Sequence, residues 1–261
     1  MLIFLPIACA LALSGAMAPA ASAQPPAVPR ADSAVLDRAR RDLDRGSLTE
    51  DLAQVVAARA LLQRLEAAYP GDPLALHYTA YALFREAELR WDAHEAQVPA
   101  LLREAERLLV RSAEVRPLAE TFSLLARIQG YMSAFYPRMA ADLGARARGY
   151  RAEAERLGRD NPRVWLLRGQ AAVYTPEVHG GGLARAEEHL LRARELFRNP
   201  PPPSLLPGWG GAEAERWLGE VYTRTGRPAL ARAAYARALE LAPGYRQALA
   251  GLAAVSGGEQ P

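Results

Sequence analysis

Residues Ala212–Pro243 read AEAERWLGEVYTRTGRPALARAAYARALELAP, and the spacing within them predicts two antiparallel helices joined by a tight turn. Leu218 and Tyr222 stand four apart, on one face of a first helix. Gly219 between them has no side chain, so a second backbone can approach closely there. Gly226 suits the left-handed conformation that ends a helix, and Pro228 suits the first turn of the next. Ala231, Tyr235 and Ala238 fall on one stripe of the second helix, small, large, small, ready to interlock with the first. Pro243 then stops it.

These positions resemble the tetratricopeptide repeat, a helix–turn–helix unit of about 34 residues. One departure is Glu215, where the repeat pattern places an aromatic; Trp217 nearby is expected to cover that gap. The resemblance implies an all-α, right-handed superhelical solenoid and an interaction scaffold whose ligand varies between members. Working outward, the same pattern recurs. Asp32–Arg45 and Leu48–Tyr69 read as a helical pair broken at Gly46, the second member carrying Ala58, Leu62, Leu65 and then Pro70. A helix from Pro73 carries Leu76, Ala80 and Leu83 on one face. Its partner is delayed by the stretch Glu86–Val98 until Ala105, Leu109, Ser112 and Pro117 restore the pattern. Leu118–Tyr136 and Pro137–Leu157 form a unit whose register slips against the repeat. Val164–Tyr174 and Leu183–Phe197 form another, interrupted by Thr175–Gly182, and Asn199–Pro203 is an extended spacer. Gly244–Val255 reads as a closing helix, which a solenoid needs to cover its last face. The whole predicts about eleven helices in four or five degenerate repeats plus a capping helix.

The stretch Arg159–Gly169 (RDNPRVWLLRG), followed by Tyr174–Gly182 (YTPEVHGGG) and Ala186, also resembles a group of exported, functionally uncharacterised bacterial proteins of tetratricopeptide type. They share an Asn-Pro-Arg turn and a Thr-Pro…Gly-Gly-Gly loop within one repeat. His179 stands where that pattern has an aromatic. This narrower resemblance implies neither a reaction nor a ligand.

Residues 1–23 carry no charged side chain and end in Ala21-Ser22-Ala23, with Gly15 and Pro19 loosening the apolar run. They read as a secretory signal peptide cleaved before Gln24. The uncharged run is nearly long enough to span a bilayer, which makes an uncleaved anchor the competing reading; the small-residue ending and the prolines favour cleavage. Cys9 is the only cysteine, so the mature chain would have no disulfide or thiolate site. Residues 24–31 form a disordered leader, 32–255 the repeat domain and 256–261 a disordered tail. The expected location is the bacterial periplasm or the exterior, with no stable membrane span after cleavage.

Half of the residues are hydrophobic, and alanine and leucine dominate, a composition that favours helices. Net charge is +3 and all 32 basic residues are arginine. These arginines alternate with glutamates at helical spacing, as in Arg151–Arg156 (RAEAER), rather than clustering with aromatics, so no nucleic-acid partner is expected. No GxSxG elbow, phosphate loop or dinucleotide fingerprint occurs. The four histidines, His77, His94, His179 and His189, lack the two-histidine helical spacing of a metal site. Trp91–Glu95, with Glu86 and Glu88 before it, reads as an exposed acidic insertion. Gly180–Gly182 has two readings, an anion cradle at a helix start or the sharp return between two helices; no lysine, serine or threonine follows to grip a phosphate. No catalytic, cofactor or metal residue is therefore expected, and the chain reads as no enzyme.

In such solenoids the first helix of each pair is expected to line the concave face. Residues next to the packing positions then give a groove stripe: His77, Tyr81 and Phe84, continued by Arg127, Gln170, Glu220 and Thr223. The alternative is that the aromatic end packs against Glu86–Val98. The expected function is an exported, non-enzymatic scaffold binding a protein or peptide in the bacterial envelope; the alternative is a solute-binding accessory component of a transport system.

Overall fold

A computed structural model describes residues 32–91, 93, 95–199 and 207–257. The signal peptide and leader, Asp92, His94, the proline spacer from Pro200 and residues 258–261 lie outside the described residues. Among the described residues there are eleven α-helices and no strand: α1 (Ser33–Thr49), α2 (Leu52–Ala68), α3 (Pro73–Leu89), α4 (Val98–Val115), α5 (Ala119–Phe135), α6 (Ala140–Leu157), α7 (Pro162–Tyr174), α8 (Leu183–Arg198), α9 (Gly211–Arg224), α10 (Pro228–Leu241) and α11 (Arg246–Gly257). Their starts are written locally. The side chains of Asp32, Asp51, Asp72 and Asn161 accept hydrogen bonds from N–H groups of the first turns of α1, α2, α3 and α7, each worth about 1 kcal/mol. Pro73, Pro162 and Pro228 occupy first helical positions, where a missing N–H is harmless.

The helices form five antiparallel hairpins and a closing helix, a tetratricopeptide-type solenoid. Each even-numbered helix through α10 packs on its own partner and on the following odd-numbered helix, while the odd-numbered helices also pack on one another. The small–large–small stripe is what seats the second helices: Ala58/Leu62, Ala105/Leu109, Ala186/Leu190/Ala193 and Ala231/Tyr235/Ala238 are all buried. Gly219 is a true close approach. A Cβ on it would lie 2.6 Å from the Tyr235 ring.

Three local expectations need correction. Gly46 does not break the first pair. It lies inside α1, where α2 crosses so closely that a Cβ would sit 3.0 Å from that of Gln54; the chain turns instead at Glu50, which takes a left-handed φ of 54° before Asp51 caps α2. Glu86 and Glu88 do not begin an exposed insertion, because α3 runs on to Leu89. Glu86 is buried and paired with Arg59 at 2.8 Å and Arg90 at 3.0 Å, and Glu88 accepts from the Tyr131 hydroxyl at 2.7 Å. Trp217 does not cover the gap at Glu215: that carboxylate is itself buried and paired with Arg194 of α8 at 2.9 Å.

The largest departure is global. The odd-numbered helices close on themselves, with α11 packing against α1. Gln247 donates to Glu50 at 3.0 Å, and Arg246 pairs with the same carboxylate at 3.4 Å. Across the ring, Arg85 of α3 donates to Glu213 of α9 at 2.9 Å, and Trp209 stacks on Tyr81 with ring centroids 4.8 Å apart and planes 17° apart. All ten residues from Ala75 to Phe84 are buried as a result. A helix surrounded on every side is apolar on every side, and α3 reads that way.

Candidate functional site: an aromatic–arginine rim and a seam cavity

The expected groove stripe is divided by this closure. His77, Tyr81 and Phe84 line no open groove. His77 is fully buried; its Nδ1 is 3.0 Å from the Thr121 hydroxyl, and burial next to the Arg163 charge pushes its pKa down to about 3. Tyr81 lies under Trp209, and Phe84 meets Tyr131 edge-to-face at 5.5 Å. The reason is the tightness of the ring, which fills the inner face of α3 with side chains from α5, α9 and the turn before α9. Packing against the Glu86–Val98 stretch does not account for it. Thr223 is exposed, donates to the Gly219 carbonyl at 2.9 Å and lies 3.5 Å from the Tyr235 hydroxyl, on the α10 side. Glu220 is half-buried and Gln170 buried.

Arg127 belongs to a continuous assembly. Its guanidinium sits 4.7 Å from the Tyr131 ring and 6.0 Å from that of Tyr174; Tyr174 meets Trp217 edge-to-face at 5.9 Å, and Arg216 covers Trp217 at 4.1 Å. Trp91 extends the line past Tyr131 at 4.6 Å. The row therefore crosses α5, α7 and α9 where α5 and α7 end, with Gln170 one turn before Tyr174. Most of it is buried. Tyr174 is 68% exposed, however, and Val178 in the following loop is 87% exposed, so aromatic and aliphatic surface is offered together. Arginines against ring faces add roughly 0.5–1 kcal/mol each at such sites and hold the rings in place.

The Gly180–Gly182 loop fixes that surface. Gly180 and Gly182 have φ of 79° and 95°. The three N–H groups all donate within the loop: Gly180 to Glu177 at 2.8 Å, Gly181 to Pro176 at 3.1 Å, and Gly182 to Ala172 and Thr175 at 2.9 Å. They are used for the chain return, which leaves no cradle for an anion. His189 is buried against Trp165, and burial holds its pKa down to about 4, while His179 is exposed. Among the described residues no three His, Cys, Asp or Glu side chains gather as a metal group.

A second feature has no signal in any one segment. Where α1 meets α9 and the end of α10, a cavity of about 260 Å³ is lined by Asp44, Ser47, Tyr81, Trp209 and Glu213, with Leu241 among the apolar residues. Burial, then the Glu213 charge, pushes the Asp44 carboxyl up to about 7. Burial holds Glu213 above the ordinary carboxylate range, against the pull of Arg85.

No protein-family model matches the chain, and no curated protein does. Among solved structures it is similar to the HusA haemophore from Porphyromonas gingivalis, at 24% identity and a TM-score of 0.61, over 74% of this chain and 94% of that one. It is also similar to TTC0263, a tetratricopeptide repeat protein of Thermus thermophilus, at 21% identity and a TM-score of 0.53, over 84% and 98% of the two chains. A chain of the APC/C hetero-tetramer Cut9–Hcn1 aligns at 13% identity and a TM-score of 0.55, over 88% of this chain and 41% of that one. At these identities what is shared is the fold, and it is the fold expected from Ala212–Pro243.

Proposed function

We propose that this chain is a non-enzymatic interaction scaffold of the bacterial cell envelope, exported by residues 1–23, which takes a protein or peptide partner on the rim around Tyr174. The observation that carries the reading is an exposed aromatic, Tyr174, held rigid between Arg127 and Trp217 and flanked by exposed Val178. Rigid, partly exposed aromatics set among packed neighbours are the usual energetic anchors of protein interfaces. Gln170 and Glu220, on the same two helices as Tyr174 and Trp217, supply the polar surround. The uncharged leader with its Ala-Ser-Ala ending supports export, and among the described residues no helix is long and apolar enough to cross a membrane.

A photo-crosslinking residue placed at 174 in cells tests the reading. One defined protein adduct is expected, absent when the probe is placed at Leu241, and abolished by Val178→Asp with an unchanged melting temperature. No adduct at 174, or equal adducts at both positions, overturns it. N-terminal sequencing of the fractionated protein tests export: a start at Gln24 is expected, and an intact Met1 in the membrane fraction refutes it.

A second reading, a solute-binding component of a transport system, is favoured by the seam cavity and by the likeness to a haemophore. It makes the cavity, rather than the rim, the place where ligand binds.

A further inference from the structure

The seam cavity is enclosed by the two ends of the ring, and its polar wall is short of positive charge. Asp44 Oδ2 meets Arg40 only at 3.8 Å, and its Oδ1 has no hydrogen-bond partner. Ser47, on the next turn of α1, is 4% exposed, and its hydroxyl is also without a partner. Glu213 has one arginine, Arg85, which is shared with Glu88 at 3.0 Å. Two carboxylates and a hydroxyl thus face a common space that holds no cation of its own, a costly state for buried charge. The remaining wall is carbon: the stacked rings of Tyr81 and Trp209, with Leu48 and Leu241.

We propose that this cavity binds a small primary alkylammonium ion, its head among Asp44, Ser47 and Glu213 and its chain along the Tyr81–Trp209 stack. An ammonium has three donors and no acceptor, which matches three acceptor-bearing groups. A volume of about 260 Å³ corresponds to roughly nine waters at about 30 Å³ each, room for a head group and a short chain. A bare divalent ion is the poorer match, since calcium takes 6–8 oxygen ligands and gains nothing from the aromatic wall. An anion would meet two carboxylates. The half-neutral state of Asp44 at neutral pH agrees with a site that exchanges a proton for a cation. The groups facing Asp44 from the packed elements are Arg40 on α1, Arg85 on α3, Arg163 on α7 and Glu213 on α9. The inference stands apart from the rim reading, because the two surfaces share no residue.

Isothermal titration of the full chain with 1-butylammonium and 1,4-diaminobutane at about pH 8, with butyrate and 1-butanol as matched probes, tests it. Saturable one-to-one binding of the two ammonium probes is expected, with no saturation by butyrate or butanol. Asp44→Asn should weaken binding about tenfold or more, the range of a lost charge-assisted hydrogen bond. Ala242→Leu, which fills the cavity from another helix, should do the same, both variants keeping the wild-type helical signal. Near pH 6, binding should release a proton, read from the dependence of the heat on buffer ionisation. The proposal is overturned if butyrate or butanol binds as tightly, if both variants bind like the wild type, or if no saturation occurs below about 10 mM. Retained crosslinking at residue 174 in either variant shows that the rim reading is unaffected.

Discussion

Replacing Arg85 by leucine removes the cation that ties α3 to α9 across the ring. Two carboxylates then lose a partner, but unequally. Glu88 is 21% exposed at its side chain and keeps the Tyr131 hydroxyl at 2.7 Å; Glu213 is 8% exposed and keeps nothing comparable. The penalty therefore falls on Glu213. Breaking one side of a buried pair costs about 3–5 kcal/mol when the survivor stays charged. Glu213 can avoid that by taking up a proton. Protonating a carboxyl of ordinary pKa at pH 7 costs just under about 4 kcal/mol, at about 1.36 kcal/mol per unit, and Glu213 starts above that pKa because burial already disfavours its charge. The loss should then be near 3 kcal/mol at about pH 7 and about 1 kcal/mol smaller at pH 6. Urea unfolding followed by helical circular dichroism at both pH values measures it. The double variant Arg85→Leu/Glu213→Leu should recover at least 1.5 kcal/mol or so relative to the sum of the single losses, since no orphaned charge remains. A single-variant loss under about 1 kcal/mol, or strict additivity in the double, would mean that the ring is not clamped by this pair.

Three further outcomes follow from the same contacts. Gly181→Ala should cost more than Gly180→Ala: a Cβ at 181 would lie 2.1 Å from the Thr175 carbonyl oxygen, whereas at 180 it meets open space and only the left-handed φ resists it. About 3 kcal/mol or more against about 1–2 is expected in urea melts; a reversed order would refute the loop geometry. Tyr81→Ala, which deletes the ring under Trp209, should destabilise the fold by about 3–5 kcal/mol, and a variant that melts like the wild type would place Tyr81 outside the core. The pH dependence has two opposed limbs. Asp44, raised to about 7 in the fold, contributes stability at low pH that is lost as pH rises from 4 through 7, so Asp44→Asn should be the more stable chain at pH 8, by up to about 4 kcal/mol. His77, held down to about 3, contributes stability present above 6.5 and lost as pH falls toward 3; His77→Asn should flatten that acid limb, and an unchanged acid midpoint would argue that the imidazole is not buried neutral.

What the sequence determined by itself is the local and the repeating. Leu218, Gly219, Tyr222, Ala231, Tyr235 and Ala238 encode one hairpin, because residues three and four apart share a helix face whatever lies beyond it. The same reasoning placed the second-helix stripes, the eleven helices and the glycine return, and it found Arg127 and Gln170 near the rim. Where it erred locally, a contact between hairpins was responsible: Gly46 looked like a break because the crossing of α2 over it is invisible within α1. The tertiary structure alone decided whether the inner face was open. That depends on the small rotation between successive hairpins, summed around the ring, which no single stretch records. The sum brings Arg85 to Glu213 and Gln247 to Glu50, pairs separated by 128 and 197 residues. It buries His77, Tyr81 and Phe84 and leaves Tyr174 outside. It also gathers Asp44, Ser47, Tyr81, Trp209 and Glu213 around one cavity, though each taken alone reads as an ordinary helix or turn residue. One sign was legible: α3 carries large apolar or aromatic residues on all its faces, as only a surrounded helix does. Which elements surround it was fixed by closure of the ring.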